Sequence, residues 1–300
     1  TLNLKKVINL NIDVTWRRSF MIVNRLIYLI GFALVVLGLL VGCSKTAEVG
    51  SDEIENYSAK QIFDRAEFEM ARSKPIDAIA FFSDVERLYP YSEWAKRSVI
   101  MQAFANHKAK QYEEARDAAE RYIEYYPSDE DSAYAQYIIA LSYYDQIEDI
   151  GRDQEVTAKA LEAFKILIKN YPDSEYVKPA ELKFDLAFDH LAGKEMEVGR
   201  YYLKRQQFPA AINRFRIVLE DYQTSSYTAE ALHRLVEAYL SIGLVDEAQS
   251  AGAILGHNYQ ATDWYQRSYS LLKNENLRPL AKSSGWLRKI HRQVLKGRWL

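Results

Sequence analysis

The sequence predicts an all-α protein, a right-handed superhelical solenoid of about five short helix pairs. The chain has 12 Gly and seven Pro in 300 residues, so few positions break a helix, and 48% of its residues are hydrophobic. Tyrosine-proline pairs recur at Tyr89-Pro90, Tyr126-Pro127 and Tyr171-Pro172, each after an apolar-periodic segment. A period of about 34 to 37 residues is typical of stacked helix pairs that bury their apolar faces against their neighbours.

The second helix of each unit carries a small residue and then, one turn later, a second core residue. The small residues stand twelve positions before the end of each unit, at Ala78, Ala115, Ala160 and Ala211, and the second residues stand eight positions before it, at Phe82, Ala119, Phe164 and Phe215. Because residues one turn apart face the same partner helix, the small one allows close approach and an aromatic one fills the space beside it. This spacing is that of tetratricopeptide repeats.

Two segments depart from the repeat. About eight residues are inserted in the third unit around residues 149–154, and we expect this polar loop to lie outside the paired-helix core, either as solvated surface or as a contact surface. Shortening it should therefore cost little stability. An additional long helix is predicted at 175–191, so that the N-terminal units occupy 58–192 and the C-terminal units 193–277.

An apolar run precedes the only cysteine of the chain. The run has 16 residues, Leu26 to Val41, follows Arg25, and ends two positions before Cys43. It is shorter than the roughly 20 residues that span a bilayer and has the basic start and apolar centre of a secretory signal peptide. Because Leu40-Val41-Gly42-Cys43 resembles a bacterial lipobox, we expect residues 1–42 to be removed and Cys43 to carry N-acyl and S-diacylglycerol groups.

The residues around this segment refine the prediction. We expect translation to start at Met21, because residues 1–20 precede the signal pattern. Residues 44–46 and 50–53 are polar and small, as expected for a flexible lipidated tether over 43–57. Ser44 favours sorting to the outer membrane, with the protein on the periplasmic face. The alternative is an uncleaved transmembrane anchor. The lone thiol argues against this alternative. It cannot form an internal disulfide, which is unusual in an exported protein unless the sulfur has another use.

The sequence favours binding over catalysis, and we predict no metal and no cofactor apart from the lipid. The five histidines are scattered singly without a second ligand at metal spacing, and the chain has neither a phosphate-binding loop nor a nucleophile elbow. Residues 43–300 hold 34 Lys and Arg against 40 Asp and Glu, a net charge of −6 that argues against nucleic-acid binding.

Aromatic residues cluster at the break between the first two units. Tyr89, Tyr91 and Trp94 stand there, in a chain with 22 tyrosines. Such rings suit a groove for an extended peptide with aromatic or apolar side chains, because they offer contact area at low rotamer cost. The alternative is that they pack between helices. A second cluster, Trp264-Tyr265 with Tyr269, lies near the end of the last unit.

The end of the chain is basic. The last 25 residues contain seven Lys and Arg and no Asp or Glu. Trp286, Ile290 and Val294 recur every four residues, which predicts a basic amphipathic helix within residues 278–300 that lies on anionic lipid or on an acidic partner. A disordered, solvated tail is the alternative.

Several strings, taken in order, resemble the BamD (ComL/YfiO) family over essentially the whole mature chain except the tail. They are the lipobox, Arg-Leu-Tyr-Pro-Tyr-Ser at 87–92, Arg-Asp-Gln at 152–154, Glu-Val-Gly-Arg-Tyr-Tyr at 197–202 and Asn213-Arg214. The resemblance implies a non-catalytic outer-membrane lipoprotein that works with the barrel insertase BamA, the small lipoprotein BamE and other subunits of the assembly machinery.

The resemblance also implies two binding regions. The N-terminal units, with the three aromatic residues of 89–94, would receive the C-terminal strand of an unfolded outer-membrane protein. The C-terminal units, with Arg200, Arg205 and Arg214, would dock on BamA. Two other functions stay open from the residues alone: a lipoprotein adaptor that scaffolds cell-wall hydrolases, and a murein-cleaving enzyme.

Overall fold

The computed structural model describes residues 54–150, 152 and 154–280. Within these ranges the chain forms eleven α-helices and no β-strand. The helices are α1 (Ala59–Ala71), α2 (Pro75–Leu88), α3 (Glu93–Lys108), α4 (Tyr112–Tyr125), α5 (Ser132–Tyr144), α6 (Glu155–Asn170), α7 (Val177–Lys204), α8 (Phe208–Asp221), α9 (Thr228–Ser241), α10 (Val245–Asn258) and α11 (Asp263–Asn274). The all-α prediction is confirmed. Cys43, the apolar run and the tail from residue 281 lie outside the described residues.

The helices form five successive pairs, α1–α2 to α9–α10, followed by α11. Each helix packs against the next along the chain, and the first helices of successive pairs also lie against one another, as α1 does with α3 and α3 with α5. A stack in which each unit contacts its neighbours is a solenoid, as predicted. The additional helix α11 packs on α9 and α10.

The repeat positions form the core as predicted. The eight small and larger core residues of the second helices have no exposed surface: Ala78, Phe82, Ala115, Ala119, Ala160, Phe164, Ala211 and Phe215 are all 0% exposed. The helices of a pair approach closely at Gly199 of α7, where a Cβ atom would lie 2.4 Å from the ring of Phe215. Glycine is needed there because any side chain would collide with a buried ring.

The turn inside a helix pair uses one residue with left-handed backbone geometry. Ser73, Lys110, Gln206 and Gly243 have φ angles of 58°, 62°, 60° and 75° in four of the pairs. This region costs an L-residue about 1–2 kcal/mol, so Gly243 adopts it without the strain that the other three carry. The third pair has the inserted loop at this place.

Every second helix ends on a tyrosine. The C-caps of α2, α4, α6, α8 and α10 are Tyr89, Tyr126, Tyr171, Tyr222 and Tyr259, with φ angles from −126° to −133°. The tyrosine N–H donates to the carbonyl four residues earlier, and its carbonyl accepts from the N–H three residues later. Tyr259 extends this pattern to the fifth unit, although Gln260 follows it instead of proline.

The inserted loop contacts α7, although none of the described residues 148–150, 152 and 154 is buried. These residues lie outside the buried core, as expected, but they touch another helix. The side-chain nitrogen of Gln154 donates to the carbonyls of Ile150 at 3.2 Å and Arg152 at 2.9 Å. Its side-chain oxygen lies 3.0 Å from Nδ1 of His190 on α7. The Ile150 side chain reaches α7 as well, because a Cβ atom on Gly193 would lie 3.1 Å from Ile150 Cδ1. Shortening the loop would remove these contacts.

The additional helix predicted at 175–191 is not a separate element. It continues into the first helix of the fourth unit, and Val177–Lys204 form one helix of 28 residues. Gly193 is the weak point for such a helix, but one glycine costs only about 1 kcal/mol relative to alanine. Burial of Ala192 and Met196 on either side, both 0% exposed, offsets that cost. The predicted boundary at residues 192 and 193 therefore falls inside a helix.

Two separate clusters of buried apolar residues each include residues of α7. The N-terminal cluster extends from Val99 on α3 to Ala180 in the first turn of α7. The C-terminal cluster extends from Ala192 on α7 to Leu272 on α11. One continuous helix thus contributes to both cores.

Candidate docking surfaces

The first candidate surface lies where the segment before α1 meets the turn between α2 and α3. The hydroxyl of Tyr89 donates to the carbonyl of Tyr57 at 2.6 Å, which fixes the turn. Helix α3 then starts at Ser92, whose side-chain oxygen accepts from the Ala95 N–H at 3.1 Å. Tyr91 lies in the turn between Tyr89 and Ser92, where it is 102% exposed. Tyr89 therefore has a structural role, whereas the ring of Tyr91 is available for contact.

Trp94, in the first turn of α3, is half-buried. Its ring centroid lies 5.1 Å from that of Phe63 on α1, which lies 5.3 Å from that of Phe82 on α2. Two cations lie over the same indole, with Lys60 Nζ at 5.4 Å and Arg97 Cζ at 5.3 Å from its centroid. Trp94 thus packs between α1 and α3 and offers only part of its surface to a ligand.

Lys60 and Arg97 also belong to this surface, although the sequence analysis did not include them among the substrate-binding residues. Arg97 stands three residues after Trp94, a spacing at which helix side chains meet. Lys60 is held by Asp64 at 2.7 Å, whereas Arg97 makes no ion pair within the described part of the chain. We call Lys60, Tyr91, Trp94 and Arg97 the aromatic surface.

The second candidate surface lies on α7 and α8, where Arg205 and Arg214 were predicted to bind a partner. Arg214 Nη1 on α8 lies 3.0 Å from Glu195 Oε2 on α7. The guanidinium carbon of Arg205 lies 4.4 Å from the ring centroid of Tyr201, and both residues are exposed. Arg205 therefore keeps its hydrogen-bond donors available, while Arg214 already has a carboxylate partner. We call Glu195, Tyr201, Arg205 and Arg214 the arginine surface.

Arg200 belongs instead to an ion-pair network that joins α7 to α9. Its Nη1 lies 2.9 Å from Oε2 of Glu230, a residue only 9% exposed. Arg234 bridges Glu230 at 3.2 Å and Glu237 at 2.8 Å. Burial by itself would lower the pKa of Arg234, but the hydrogen bonds to Glu237 and Glu230 outweigh it and raise that pKa above its usual range. Arg200 therefore stabilises the packing of α7 against α9.

The same network reaches α11. His233 Nδ1 lies 2.8 Å from the hydroxyl of Ser268, and His233 Nε2 lies 3.5 Å from Glu237 Oε1. Burial alone would raise the pKa of Glu237, but hydrogen bonds from His233 and Arg234 hold it below its usual range. The Trp264 ring lies 5.3 Å from that of His233. The C-terminal aromatic cluster is thus in part packing between α9 and α11.

The part of the chain that the structure describes holds no group of three or more His, Cys, Asp or Glu side chains arranged for a metal ion. None of the helices α1 to α11 combines the length and the apolar character that a bilayer span requires.

Residues 55–254, which include α1 to α9 and most of α10, match a family with the description "YfiO: Outer membrane lipoprotein". This match covers more than half of the chain. The chain belongs to the YfiO family. The resemblance found in the sequence is thereby confirmed, and so is association with the outer membrane.

Relatives from other bacteria extend the similarity over most of the chain. The outer membrane protein assembly factor BamD of Caulobacter vibrioides is 42% identical over 82% of this chain and 81% of its own length. The protein of the same name from Rickettsia prowazekii is 39% identical over 81% of this chain and 96% of its own. The protein of that name from Neisseria meningitidis serogroup A is 28% identical over 75% of this chain and 89% of its own length. These YfiO relatives are named as assembly factors, which confirms the prediction that the chain is not an enzyme.

Proposed function

We propose that this chain is a lipid-anchored scaffold of the outer-membrane β-barrel assembly machinery, which binds BamA and unfolded outer-membrane proteins on the periplasmic face. Its similarity to two BamD assembly factors, at 42% and 39% identity, carries this proposal. The geometry supports it, because the aromatic surface and the arginine surface lie in different halves of one solenoid. BamE and other subunits of the machinery would be further partners, and no nucleic acid is involved.

The anchor would be the N-acyl and S-diacylglycerol groups on Cys43. Each buried methylene contributes about 0.8 kcal/mol, and several acyl chains together exceed the marginal binding of one chain. We expect Cys43→Ser to abolish membrane attachment in cell fractionation. A variant that still sediments with membranes after a high-salt wash would contradict this expectation.

The aromatic surface would receive the C-terminal strand of an unfolded barrel protein. Such a strand presents aromatic and apolar side chains at alternate positions, and it ends in a carboxylate. Tyr91 offers an exposed ring, and Trp94 contributes its outer part beside it. Arg97 supplies a guanidinium for the terminal carboxylate, with which it can pair through two hydrogen bonds. Tyr89, which the sequence analysis included, would act by fixing the turn that presents Tyr91.

Single substitutions separate binding from packing at this surface. Tyr91→Ala should weaken binding of a peptide that ends in the aromatic C-terminal strand of a porin, and it should change stability by no more than about 0.5 kcal/mol, as for other surface positions. Tyr269→Ala, at an exposed tyrosine of α11, is the matched control and should bind normally. Equal affinity of the two variants in fluorescence anisotropy would remove Tyr91 from the site.

The arginine surface would dock on BamA through Arg205 and Arg214. Arg214→Glu should weaken capture of BamA by about 2 kcal/mol or more, since a reversed charge would face the carboxylates of the partner. Glu195→Gln is the informative control, because it frees Arg214 from its internal partner and should leave capture equal or stronger. Capture that falls equally in both variants would show that the Arg214–Glu195 pair only maintains the fold.

A pull-down from detergent-solubilised outer membrane tests the function as a whole. Recovery of a large barrel protein with the chain supports the assembly role. Recovery of amidases or transglycosylases without the barrel protein would favour an adaptor for cell-wall hydrolases.

A further inference from the structure

A groove outside both proposed surfaces lies between α4 and α6, over α5. It has a volume of about 470 Å³. Its floor contains Ile139 of α5 and Ala163 of α6, which are 7% and 5% exposed. Its walls are Ile123 of α4 and Ile166 of α6, and Ile166 is 37% exposed. Apolar side chains therefore face an open space that no described part of the chain fills.

The rims of the groove are acidic along most of their length. Glu120 and Glu124 line it from α4, and Glu162 lines it from α6. All three are exposed, and none makes an ion pair within the described residues. Three carboxylates around an apolar floor favour a ligand that carries cations on either side of apolar anchors.

One end of the groove is cationic. The guanidinium carbon of Arg116 on α4 lies 4.3 Å from the ring centroid of Tyr143, at the end of α5. Arg116 thus lies beside the groove, whereas Lys159, near the start of α6, lines it, and the hydrogen bond of Lys159 to Glu155 raises its pKa. Nη1 of Arg116 is buried and has no hydrogen-bond partner among the described residues. Because Arg116 keeps part of its surface exposed, its charge favours an acceptor at this end of the groove.

We propose that this groove binds an amphipathic helix of a partner protein, whose apolar residues lie three and four positions apart and whose flanks carry Lys or Arg. Gln136, Ile139 and Tyr143, the lining residues of α5, have the three- and four-residue spacing into which helix ridges pack. On α5 the lining extends from Gln136 to Tyr143, about 10 Å at 1.5 Å per residue, which accommodates two turns.

The charges also set the direction of the bound helix. The last carbonyl groups of a helix are unsatisfied and carry partial negative charge, so they suit the end with Arg116 and Lys159. The basic flanks then lie beside Glu120, Glu124 and Glu162. None of these residues belongs to the aromatic or the arginine surface, so this partner binds independently of the proposed function.

A designed peptide tests the site directly. The probe is a fluorescein-labelled 15-residue helical peptide of Leu, Ala and Lys, with leucines three and four positions apart, titrated into the full chain in detergent. The triple change Glu120→Lys, Glu124→Lys and Glu162→Lys should weaken binding at least about tenfold, and wild-type affinity should fall as salt screens the charges. Glu67→Lys with Glu181→Lys, at exposed positions of α1 and α7, should change affinity less than about twofold.

Two further measurements separate a groove from general electrostatic attraction. Ile166→Gln, at an exposed wall position, should weaken the peptide with unchanged circular dichroism, and a peptide with the same lysines but scrambled leucines should bind poorly. A probe peptide with a free C-terminal carboxylate should bind more tightly than the same peptide with a C-terminal amide. The change Arg116→Gln should remove that difference. The proposal is overturned if the scrambled peptide binds equally well, or if the groove variants and the control pair lose affinity alike.

Discussion

The two hydrophobic clusters to which α7 contributes are built from different side chains. The N-terminal cluster consists largely of alanines, such as Ala103, Ala135 and Ala140, with tyrosines packed around its edge. The C-terminal cluster contains many more branched aliphatic residues, among them Leu232 and Leu235. Partly exposed aromatic side chains surround both clusters, but the C-terminal cluster has more large aliphatic side chains in its buried interior.

The charged groups differ in the same way. In the C-terminal half, Arg200 pairs with Glu230 across α7 and α9, and Arg234 pairs with Glu230 and Glu237 within α9. In the N-terminal half, the glutamates of the groove and Arg97 face solvent without internal ion pairs among the described residues. The glutamates of the groove and Arg97 are therefore available to ligands, whereas the ion pair of Arg200 with Glu230 holds α7 against α9.

The largest effect should come from matched truncations in the two cores. Phe164→Ala and Phe215→Ala remove fully buried rings at the same repeat position, and each should cost about 3–5 kcal/mol. Because α7 contributes to both clusters, both variants should shift one common unfolding transition in urea. Separate transitions, followed by circular dichroism and tryptophan fluorescence, would show that the two halves unfold independently.

The close approach of α7 to α8 gives the next effect. Gly199→Ala improves helix propensity, yet its methyl group would collide with Phe215 and should cost roughly 1–3 kcal/mol. The equivalent position in the second unit already holds Ala103, and Ala103→Gly should destabilise through lost propensity and packing. Adding Phe215→Leu to Gly199→Ala should cost less than the sum of the two single changes, as a thermal melt can measure. Full additivity would show that the collision is absent.

Stability at acid pH should differ between the halves. The pKa of Glu237 lies below its ordinary value of 4.5, so the stabilisation from its ionised form is fully present above pH 4.5 and is lost as the pH falls through the folded pKa. For Asp129, burial opposes ionisation, but hydrogen bonds from Lys96 and Tyr122 outweigh it and lower the pKa below its ordinary value of 3.8.

The matched variants are Glu237→Gln and Asp129→Asn, with urea denaturation repeated at several pH values. The stability difference from wild type should begin to shrink below pH 4.5 for Glu237→Gln, but only below pH 3.8 for Asp129→Asn. A difference that stays constant down to pH 3 in either variant would mean that the carboxyl group is not stabilised in its ionised form.

The smallest effects should come from the turns inside the helix pairs. Gly243→Ala should cost about 1 kcal/mol through backbone strain alone, because no atom lies within 4 Å of the added Cβ position. Lys110→Gly, at the corresponding turn of the second pair, should stabilise by up to about 1 kcal/mol for the same reason. If Gly243→Ala and Lys110→Gly both raised the melting temperature, or both lowered it, this explanation of the turns would be contradicted.

Local sequence determined the units of the fold. The alanine and phenylalanine positions are buried because a helix places residues four apart on one face, and the tyrosine-proline pairs end helices because proline disfavours helical geometry in the residue before it. The sequence also contains the family resemblance, which the comparisons confirm. These features depend on short-range geometry, so a pattern within one unit is enough to predict them.

Only the tertiary structure decided how the units join and which side chains stay available. Whether α7 continues through Gly193 depends on the burial of Ala192 and Met196, and the inserted loop contacts α7 because Gln154 meets His190 there. The pairing of Arg200 with Glu230, 30 positions later in the chain, likewise arises from packing between units. The sequence identifies a guanidinium, but the carboxylates within its reach depend on contacts between distant segments.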